Sequence, residues 1–322
     1  MDKRILILTD GKAGHENQSK AFARALGCAY DVEEIHFRSP FRKALSYLLD
    51  HAGVHAPALF DRADEILRRA ASAPGAYAAV LGTGSGTFYA AKTLARRLGA
   101  KCGVVLYPRG YRVSTFDCVL APAFDRPPAA PNVVEIPANL VANDAAFYAA
   151  GTEAFRARHV PARDAVAVIV GGPNKCSTMT ADWMRAQLTR LFAEHGHPAF
   201  AKTASGPAPE FWVTTSRRTP ADVEAVVDAF PFDYRLLYSR DHFNPIPAFV
   251  SLAKVLYVTA ESTGMLSEAC TFGAAEVRVL DNLNPGPHKF RRFAESCAAL
   301  GRKKIDLAGP FAAARSLLLP GL

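Results

Sequence analysis

Short, uninterrupted apolar runs alternate along this sequence with glycine-containing turns and with segments of helical periodicity. The first run, Ile5 to Thr9, is followed by a glycine turn and by a helical pattern from about residue 16 to residue 26. Unbroken apolar runs of this length are typical of parallel strands that are buried on both faces. Further strands are predicted at 32–37, 77–81, 102–106, 118–120, 166–170, 211–214, 255–258 and 277–280. The alternation of strands and helices predicts an α/β fold with parallel sheets.

The pattern is interrupted near the middle of the chain. Prolines punctuate residues 127–137, a polar and alanine-rich segment follows, and the strand, turn and helix pattern begins again after Pro161. We therefore predict two Rossmann-like domains, over 1–155 and 156–322, whose parallel sheets face each other across a cleft. Ligands of open α/β sheets bind beyond the carboxyl ends of the strands, so the turns at those ends form the candidate site.

Composition fits a folded, two-domain protein. The chain has 322 residues, of which 50% are hydrophobic and 21% charged, so it can bury a sizeable core and is not an intrinsically disordered protein. The first apolar run is too short for a signal peptide, and no run approaches the ~18–20 residues that a membrane span needs. The six cysteines include no C-x-x-C pair, which favours reduced thiols. We expect a cytoplasmic protein.

Charge narrows the class of partner. The formal net charge of +8 favours anionic partners, and because no nucleic-acid-binding motif is present we predict no nucleic acid among them. The sequence contains no D-x-D or H-E-x-x-H motif and no histidine cluster at ligand spacing. We therefore predict neither a metal nor a cofactor.

The first glycine turn, residues 10–18, offers an anion-binding helix start. Gly11 and Gly14 would let a ligand approach the backbone at a helix N-terminus, although the spacing is not that of a dinucleotide-binding loop. His15 could act there as a general base toward a substrate hydroxyl, or it could be a surface residue of the helix. The turn at 82–86, Gly-Thr-Gly-Ser-Gly, is similarly either an anion nest or a tight turn.

The second half carries three turns suited to a nucleotide. Gly171, Gly172 and Asn174 precede Lys175 in a turn that could approach phosphate or could be only a turn. Ser216 and Arg217 suit a diphosphate, or belong to an exposed arginine pair. A third turn and its helix contain the remaining candidates: Ser262 and Thr263 for phosphate, and Glu268 for the ribose hydroxyls. The alternatives there are N-capping by Ser262 and an exposed helical Glu268.

One further segment, residues 37–49, mixes aromatic, leucine and basic residues. It could lie on an anionic membrane surface. The alternative is an ordinary amphipathic helix that packs on the core, and the composition of the segment favours that alternative.

Four segments together resemble a known family: DGKAGHENQSKAFARALG, VIVGGPNK, TTSRRTP and VTAESTGMLSEACTFG. They resemble the plant mitochondrial fission protein of the elongated-mitochondria type and its bacterial relatives, and they span nearly the whole chain. This resemblance implies a GT-B-like fold, the two-Rossmann-domain fold of many nucleotide-sugar glycosyltransferases. A more distant resemblance is to the N-acetylglucosaminyl transferase of peptidoglycan synthesis, in which a histidine ends the N-terminal glycine loop and a helical glutamate holds the ribose. The plant relatives carry Ser where this chain has His15.

The resemblance implies a metal-independent glycosyltransferase that binds a nucleoside-diphosphate sugar in the interdomain cleft. Domain 1–155 would face the acceptor, with His15 as base, and domain 156–322 would hold the donor. It also implies a membrane-associated or lipid-linked acceptor and a peripheral position at the inner face of the membrane. The competing hypothesis is a non-catalytic adaptor that recruits proteins or membranes, as the plant relative does.

Overall fold

The computed structural model describes residues 4–71, 77–201 and 208–321. The chain forms two compact units. The N-terminal unit comprises Met1–Ala142 together with Asp306–Leu322, and the C-terminal unit comprises Asn143–Ile305.

The N-terminal unit contains a six-stranded sheet in which all neighbouring strands are parallel. Its strand order is β2-β1-β3-β4-β5-β6, with β1 Arg4–Thr9, β2 Tyr30–Glu34, β3 Tyr77–Thr83, β4 Lys101–Val105, β5 Cys118–Pro122 and β6 Val133–Ile136. Its α-helices are α1 Ala13–Ala25, α2 Pro40–His51, α3 Ala63–Ala71, α4 Phe88–Leu98 and, from the end of the chain, α11 Ala308–Leu318.

The C-terminal unit contains a five-stranded parallel sheet. Its strand order is β11-β10-β7-β8-β9, with β7 Ala165–Ile169, β8 Glu210–Thr214, β9 Tyr234–Leu236, β10 Val255–Thr259 and β11 Glu276–Leu280. Its helices are α5 Ala145–Arg156, α6 Ala181–Glu194, α7 Ala221–Ala229, α8 Ile246–Leu252, α9 Thr263–Thr271 and α10 Lys289–Leu300.

The central strands form as predicted because both of their faces are buried. Alternate side chains of a strand point to opposite faces of the sheet. In β1, Leu6 and Leu8 join one core cluster, whereas Ile5 and Ile7 join another on the opposite face. All five residues of β7, β8 and β10 are buried. The predicted α/β fold with two parallel sheets is confirmed.

The division of the chain differs from the predicted one at 155/156. That position lies within α5, which belongs entirely to the C-terminal unit. The end of the chain returns to the N-terminal unit because α11 buries Ala314 and Leu318 in that unit's core beside Phe22. Gly103 leaves room for this packing, since a Cβ there would lie 3.0 Å from Leu318. The order of strands and helices along the sequence does not indicate where a terminal helix packs.

Candidate functional site

Three turns of the C-terminal unit meet at the carboxyl edge of its sheet. They follow β7, β8 and β10, which are neighbours in the sheet, at 170–174, 215–219 and 260–263. The hydroxyl of Thr219 donates to the carbonyl of Gly171 at 2.6 Å and so joins two of these turns. The predicted phosphate and ribose residues of the second half all lie in these turns or in the helix that follows them.

Gly171 and Gly172 allow the turns to pack against one another. The amide of Gly171 donates to Thr259 Oγ1 at 2.8 Å, and that of Gly172 donates to Glu261 Oε1 at 2.7 Å. A Cβ on Gly171 would overlap the Glu261 carboxylate, and one on Gly172 would overlap the backbone of Arg218. The close approach that we predicted for a ligand is made here by the protein's own residues.

Asn174 is likewise engaged within its turn. Its Oδ1 accepts from the amide of Cys176 at 2.8 Å, and its Nδ2 donates to the carbonyl of Glu261 at 3.4 Å. Asn174 and the two glycines therefore hold the turns at the sheet edge in place. Any contact with a ligand would come from other residues of these turns.

Glu261 and Asn282 are functional candidates that the sequence analysis missed. Their residues are only 3% and 4% exposed. Within the described part of the chain, Glu261 Oε2 and both polar atoms of the Asn282 amide are buried without a hydrogen-bond partner. Each residue lies two positions beyond the paired ends of β10 and β11, Thr259 and Leu280. Buried polar groups nearly always have a partner, so these atoms mark a place for one.

A cavity of about 290 Å³ opens beside Ser216 and Arg217. Arg217 and Arg218 are exposed, and neither guanidinium has a carboxylate partner among the described residues. Tyr238 and His242 line the cavity with their ring centroids 4.5 Å apart, and Met265 of α9 lines it as well. A cavity that offers unpaired cations and an aromatic surface suits a nucleotide.

The first turn of α9 is open to an anion. Ser262 occupies the N-cap position, but its side chain makes no capping hydrogen bond, and the first turn contains no acidic residue. A Cβ on Gly264 would meet no atom within 4 Å, so the first turn of the helix has open space at this position. Uncapped amides at a helix start attract phosphate. The alternative of side-chain capping by Ser262 is not what the structure shows.

Glu268 lies one turn beyond Met265, on the same face of α9. Its Oε1 accepts from the Tyr148 hydroxyl at 2.8 Å and from Asn143 Nδ2 at 3.3 Å. No described residue donates to its Oε2. Burial raises the pKa of Glu268, and the two hydrogen bonds oppose that rise only in part. Glu268 is therefore a fixed, largely buried carboxyl, and the alternative of an exposed helical glutamate is wrong.

In the N-terminal unit, His15 is paired with a carboxylate. His15 Nδ1 lies 3.0 Å from Asp10 Oδ1, and Lys12 Nζ lies 2.5 Å from Asp10 Oδ2. Burial alone would raise the pKa of Asp10, but the hydrogen bond from Lys12 and the charge of His15 outweigh it, so that pKa is lowered. An ionised Asp10 can accept a hydrogen bond from His15 Nδ1, and in the tautomer that makes this bond Nε2 is free to accept a proton.

The glycine loop at 82–86 provides the space for this pair. A Cβ on Gly84 would overlap the His15 ring, and one on Gly86 would lie 2.8 Å from Asp10. Gly11 adopts a φ of +77°, which favours glycine, whereas Gly14 lies in the first turn of α1 with open space around it. A cavity of about 310 Å³, lined by Asp10, Lys12, Lys43 and Gly86 among others, adjoins the pair.

Residues 13–309 match the family model described as Mitochondrial fission ELM1. The chain belongs to the mitochondrial fission ELM1 family. Comparison of this ELM1-family chain with the curated proteins gives no match.

Solved structures with the same fold cover nearly all of the ELM1-family chain. A UDP-glucosyltransferase from Polygonum tinctorium has a TM-score of 0.51 at 9% identity, covering 99% of this chain and 92% of that one. MurG of Acinetobacter baumannii has a TM-score of 0.47 at 15% identity, with 98% and 92% covered. UDP-GlcNAc 2-epimerase from Neisseria meningitidis has a TM-score of 0.48 at 12% identity, with 98% and 97% covered. At such identities the likeness concerns the fold, which is GT-B-like.

The segment at 37–49 of this ELM1-family chain forms most of α2, which is only in part a core helix. Leu45 and Leu49 pack against the core, but the fully buried positions of α2 are polar, Ser46 and Asp50. Phe41 and Leu48, seven residues apart on one helical face, are 75% and 70% exposed. The outward face of α2 is therefore apolar.

Among the described residues of the ELM1-family chain, no cluster of three or more His, Cys, Asp or Glu side chains could hold a metal ion. No helix among them is both long and apolar enough to cross a membrane.

Glu268→Gln in this ELM1-family chain should raise stability in a pH-dependent way. The folded state raises the pKa of Glu268, so the wild type loses stability as the pH rises through that pKa, whereas the amide cannot ionise. We expect a gain on the order of 1 kcal/mol at pH 8 that disappears at pH 4. Urea unfolding at both pH values measures it, with the exposed Glu295→Gln as control. An equal effect of Glu268→Gln at both pH values would contradict the assignment.

Proposed function

We propose that this chain is a metal-independent GT-B glycosyltransferase whose C-terminal unit binds a nucleoside-diphosphate sugar. The observation that carries the proposal is the juxtaposition at one sheet edge of Arg217, the open first turn of α9 and the fixed carboxyl of Glu268. A nucleoside diphosphate needs a cationic phosphate site and an acceptor for ribose hydroxyls close together, and these residues supply both.

Each part of the donor has a candidate partner. Arg217, Ser262 and the first-turn amides of α9 would hold the diphosphate, and the Tyr238 and His242 rings would contact the base. Glu268 Oε2 would accept from the ribose. The buried Glu261 Oε2 and the Asn282 amide would bind sugar hydroxyls, which both donate and accept hydrogen bonds.

The N-terminal unit would supply the base for transfer. In this proposal His15 Nε2 removes the proton from an acceptor hydroxyl, and Asp10 stabilises the imidazolium that results. The hydroxyl oxygen forms a bond to the anomeric carbon while the bond from that carbon to the diphosphate oxygen breaks. Arg217 and the α9 amides stabilise the charge on the departing nucleoside diphosphate. The fold is shared with a UDP-glucosyltransferase, so UDP-sugars are the first donors to test.

Binding should depend on Arg217 and Glu268. Calorimetric titration with UDP, GDP, ADP and their sugar conjugates should give saturable binding to the wild type. Loss of a charge-assisted hydrogen bond should weaken it by about tenfold or more in Arg217→Gln and in Glu268→Ala. Arg185→Gln and Glu295→Ala remove the same charges elsewhere and should have no effect. Unchanged affinity in the first two variants would place the donor site elsewhere.

His15 should be needed for transfer but not for donor binding. With the donor found by titration, radiolabelled sugar transfer to a bacterial lipid extract should fall by about 10²–10⁴-fold in His15→Asn, the usual contribution of a general base. Donor affinity should match the wild type, as should activity in a His51→Asn control. Full transfer by His15→Asn would remove His15 from the mechanism.

The outward face of α2 favours a second candidate function, that of a non-catalytic adaptor on an anionic membrane. Phe41 and Leu48 are exposed on one face. The cations near them, Arg38, Arg42 and Lys43, bond to backbone carbonyls or to a serine hydroxyl, so their charge is not cancelled by carboxylates. Exposed apolar and basic side chains together suit the interface of an anionic bilayer, which would also give access to a lipid-linked acceptor.

Vesicle binding tests this face. The protein should sediment with phosphatidylcholine vesicles that contain phosphatidylglycerol, and Phe41→Ser/Leu48→Ser should reduce the bound fraction several-fold by removing apolar contact. Phe147→Ser, an exposed aromatic of the C-terminal unit, is the control. Vesicle binding without nucleotide binding would favour the adaptor over the transferase, and equal sedimentation of the double variant would exclude this face.

A further inference from the structure

A separate cavity of about 260 Å³ opens at the amino edge of the N-terminal sheet. Cys102, the second residue of β4, and Asp117, which precedes β5, line it, so it lies at the edge opposite to His15. His55, Arg96 and Arg112 also line it. None of these residues belongs to the donor or acceptor side of the proposed transferase.

The lining is cationic. Lys92 lines the cavity but is neutralised by Asp50, with Nζ and Oδ1 2.5 Å apart and both side chains almost fully buried. Asp117 also lines the cavity, and its carboxylate forms an ion pair with Lys101, with Oδ1 and Nζ 2.7 Å apart. Arg96 and Arg112 have no carboxylate partner among the described residues. Their two positive charges therefore face the cavity uncompensated.

Two nitrogen atoms at this cavity are buried without a partner. In the described part of the chain, neither His55 Nδ1 nor Arg112 Nε has a hydrogen-bond partner. Burial lowers the pKa of His55, and the charge of Arg96 lowers it further, which favours the neutral ring. Buried donors left without acceptors cost free energy, which a bound acceptor would restore.

The backbone that carries Arg112 is fixed in place. Its amide donates to Asp50 Oδ2 at 2.7 Å. Its carbonyl accepts from Lys92 Nζ at 3.2 Å and from Thr115 Oγ1 at 2.9 Å. The buried Lys92–Asp50 pair thus holds Arg112 at the cavity in advance of any ligand, which lowers the ordering cost of binding.

We infer that this cavity binds a phosphoryl group, as inorganic phosphate or as a phosphomonoester. Two guanidinium groups supply planar pairs of N–H donors that match phosphate oxygens. The imidazole ring of His55 can donate one further hydrogen bond. The cavity is large enough for one such group. The phosphomonoester could be soluble or belong to a lipid headgroup. Val54, which lies in the sequence between the lining residues Gly53 and His55, is 46% exposed.

Arg97 offers a matched control. Arg96 and Arg97 both lie in the last turn of α4, where a cation interacts favourably with the helix dipole. Arg96 lines the cavity and Arg97 does not. Loss of either removes the same charge from the same helix end, so only a specific site distinguishes them.

The experiment uses the full chain in an Arg217→Gln background, which weakens phosphate binding at the proposed donor site. Inorganic phosphate is titrated calorimetrically against chloride at equal ionic strength. Sedimentation with phosphatidylcholine vesicles that contain phosphatidic acid is measured alongside. Arg96→Gln should weaken saturable binding by about tenfold, and Arg97→Gln by less than about twofold. Arg112→Gln should resemble Arg96→Gln, and the exposed Arg96 keeps the test valid if Arg112→Gln does not fold.

The calorimetric titration and the vesicle sedimentation together distinguish a soluble phosphoryl ligand from a lipid headgroup. Free phosphate binding that Arg96→Gln weakens by about tenfold supports a soluble ligand. Sedimentation that Arg96→Gln weakens to the same extent, without free phosphate binding, supports a lipid headgroup. Absence of both, or equal losses in Arg96→Gln and Arg97→Gln, would overturn the inference.

Discussion

The buried carboxylate of Glu261 is the contact on which the C-terminal site depends. The carboxylate accepts hydrogen bonds from the amide of Gly172 and the hydroxyl of Thr259. The backbone carbonyl of Glu261 accepts one from the side chain of Asn174. The turns after β7 and β10 are thereby joined, and Thr219 attaches the turn after β8. Only glycine fits at 171 and 172, because the carboxylate and the Arg218 backbone occupy the space of a side chain. Once these turns are fixed, Arg217, the start of α9 and Glu268 have defined positions.

The N-terminal unit uses glycine in the same way. Gly84 and Gly86 leave room for His15 and Asp10, so the loop after β3 shapes the side chains that follow β1. In both units the small residues at the sheet edge accommodate the protein's own polar groups. A glycine-rich turn after a strand can therefore indicate that polar side chains pack closely against it. The polar side chain that packs there is then a better candidate for a functional residue than the glycine itself.

The strands, the two sheets and the position of several candidate residues at the sheet edge could be predicted from the sequence because each has a local signature. Apolar runs mark strands such as β1 and β7, and hydroxyl or arginine residues after a strand mark Ser216, Arg217 and Ser262. Glu261, Asn282 and the pairing of Asp10 with His15 have no such signature, since they depend on which turns become neighbours. For residues 37–49 the sequence left a membrane-facing helix and a core helix both open, and it did not indicate that Asp50 is buried against Lys92 of another helix.

The return of α11 to the N-terminal unit has a consequence for how the chain is made. Phe311 packs against Phe22, and Leu318 fills the space above Gly103. When the ribosome has completed the first 142 residues, this part of the core has no cover, and it stays uncovered until the whole C-terminal unit has been synthesised. Apolar surface that waits in this way is a target for chaperones and for self-association during synthesis. The N-terminal unit therefore cannot complete its core until α11 has left the ribosome.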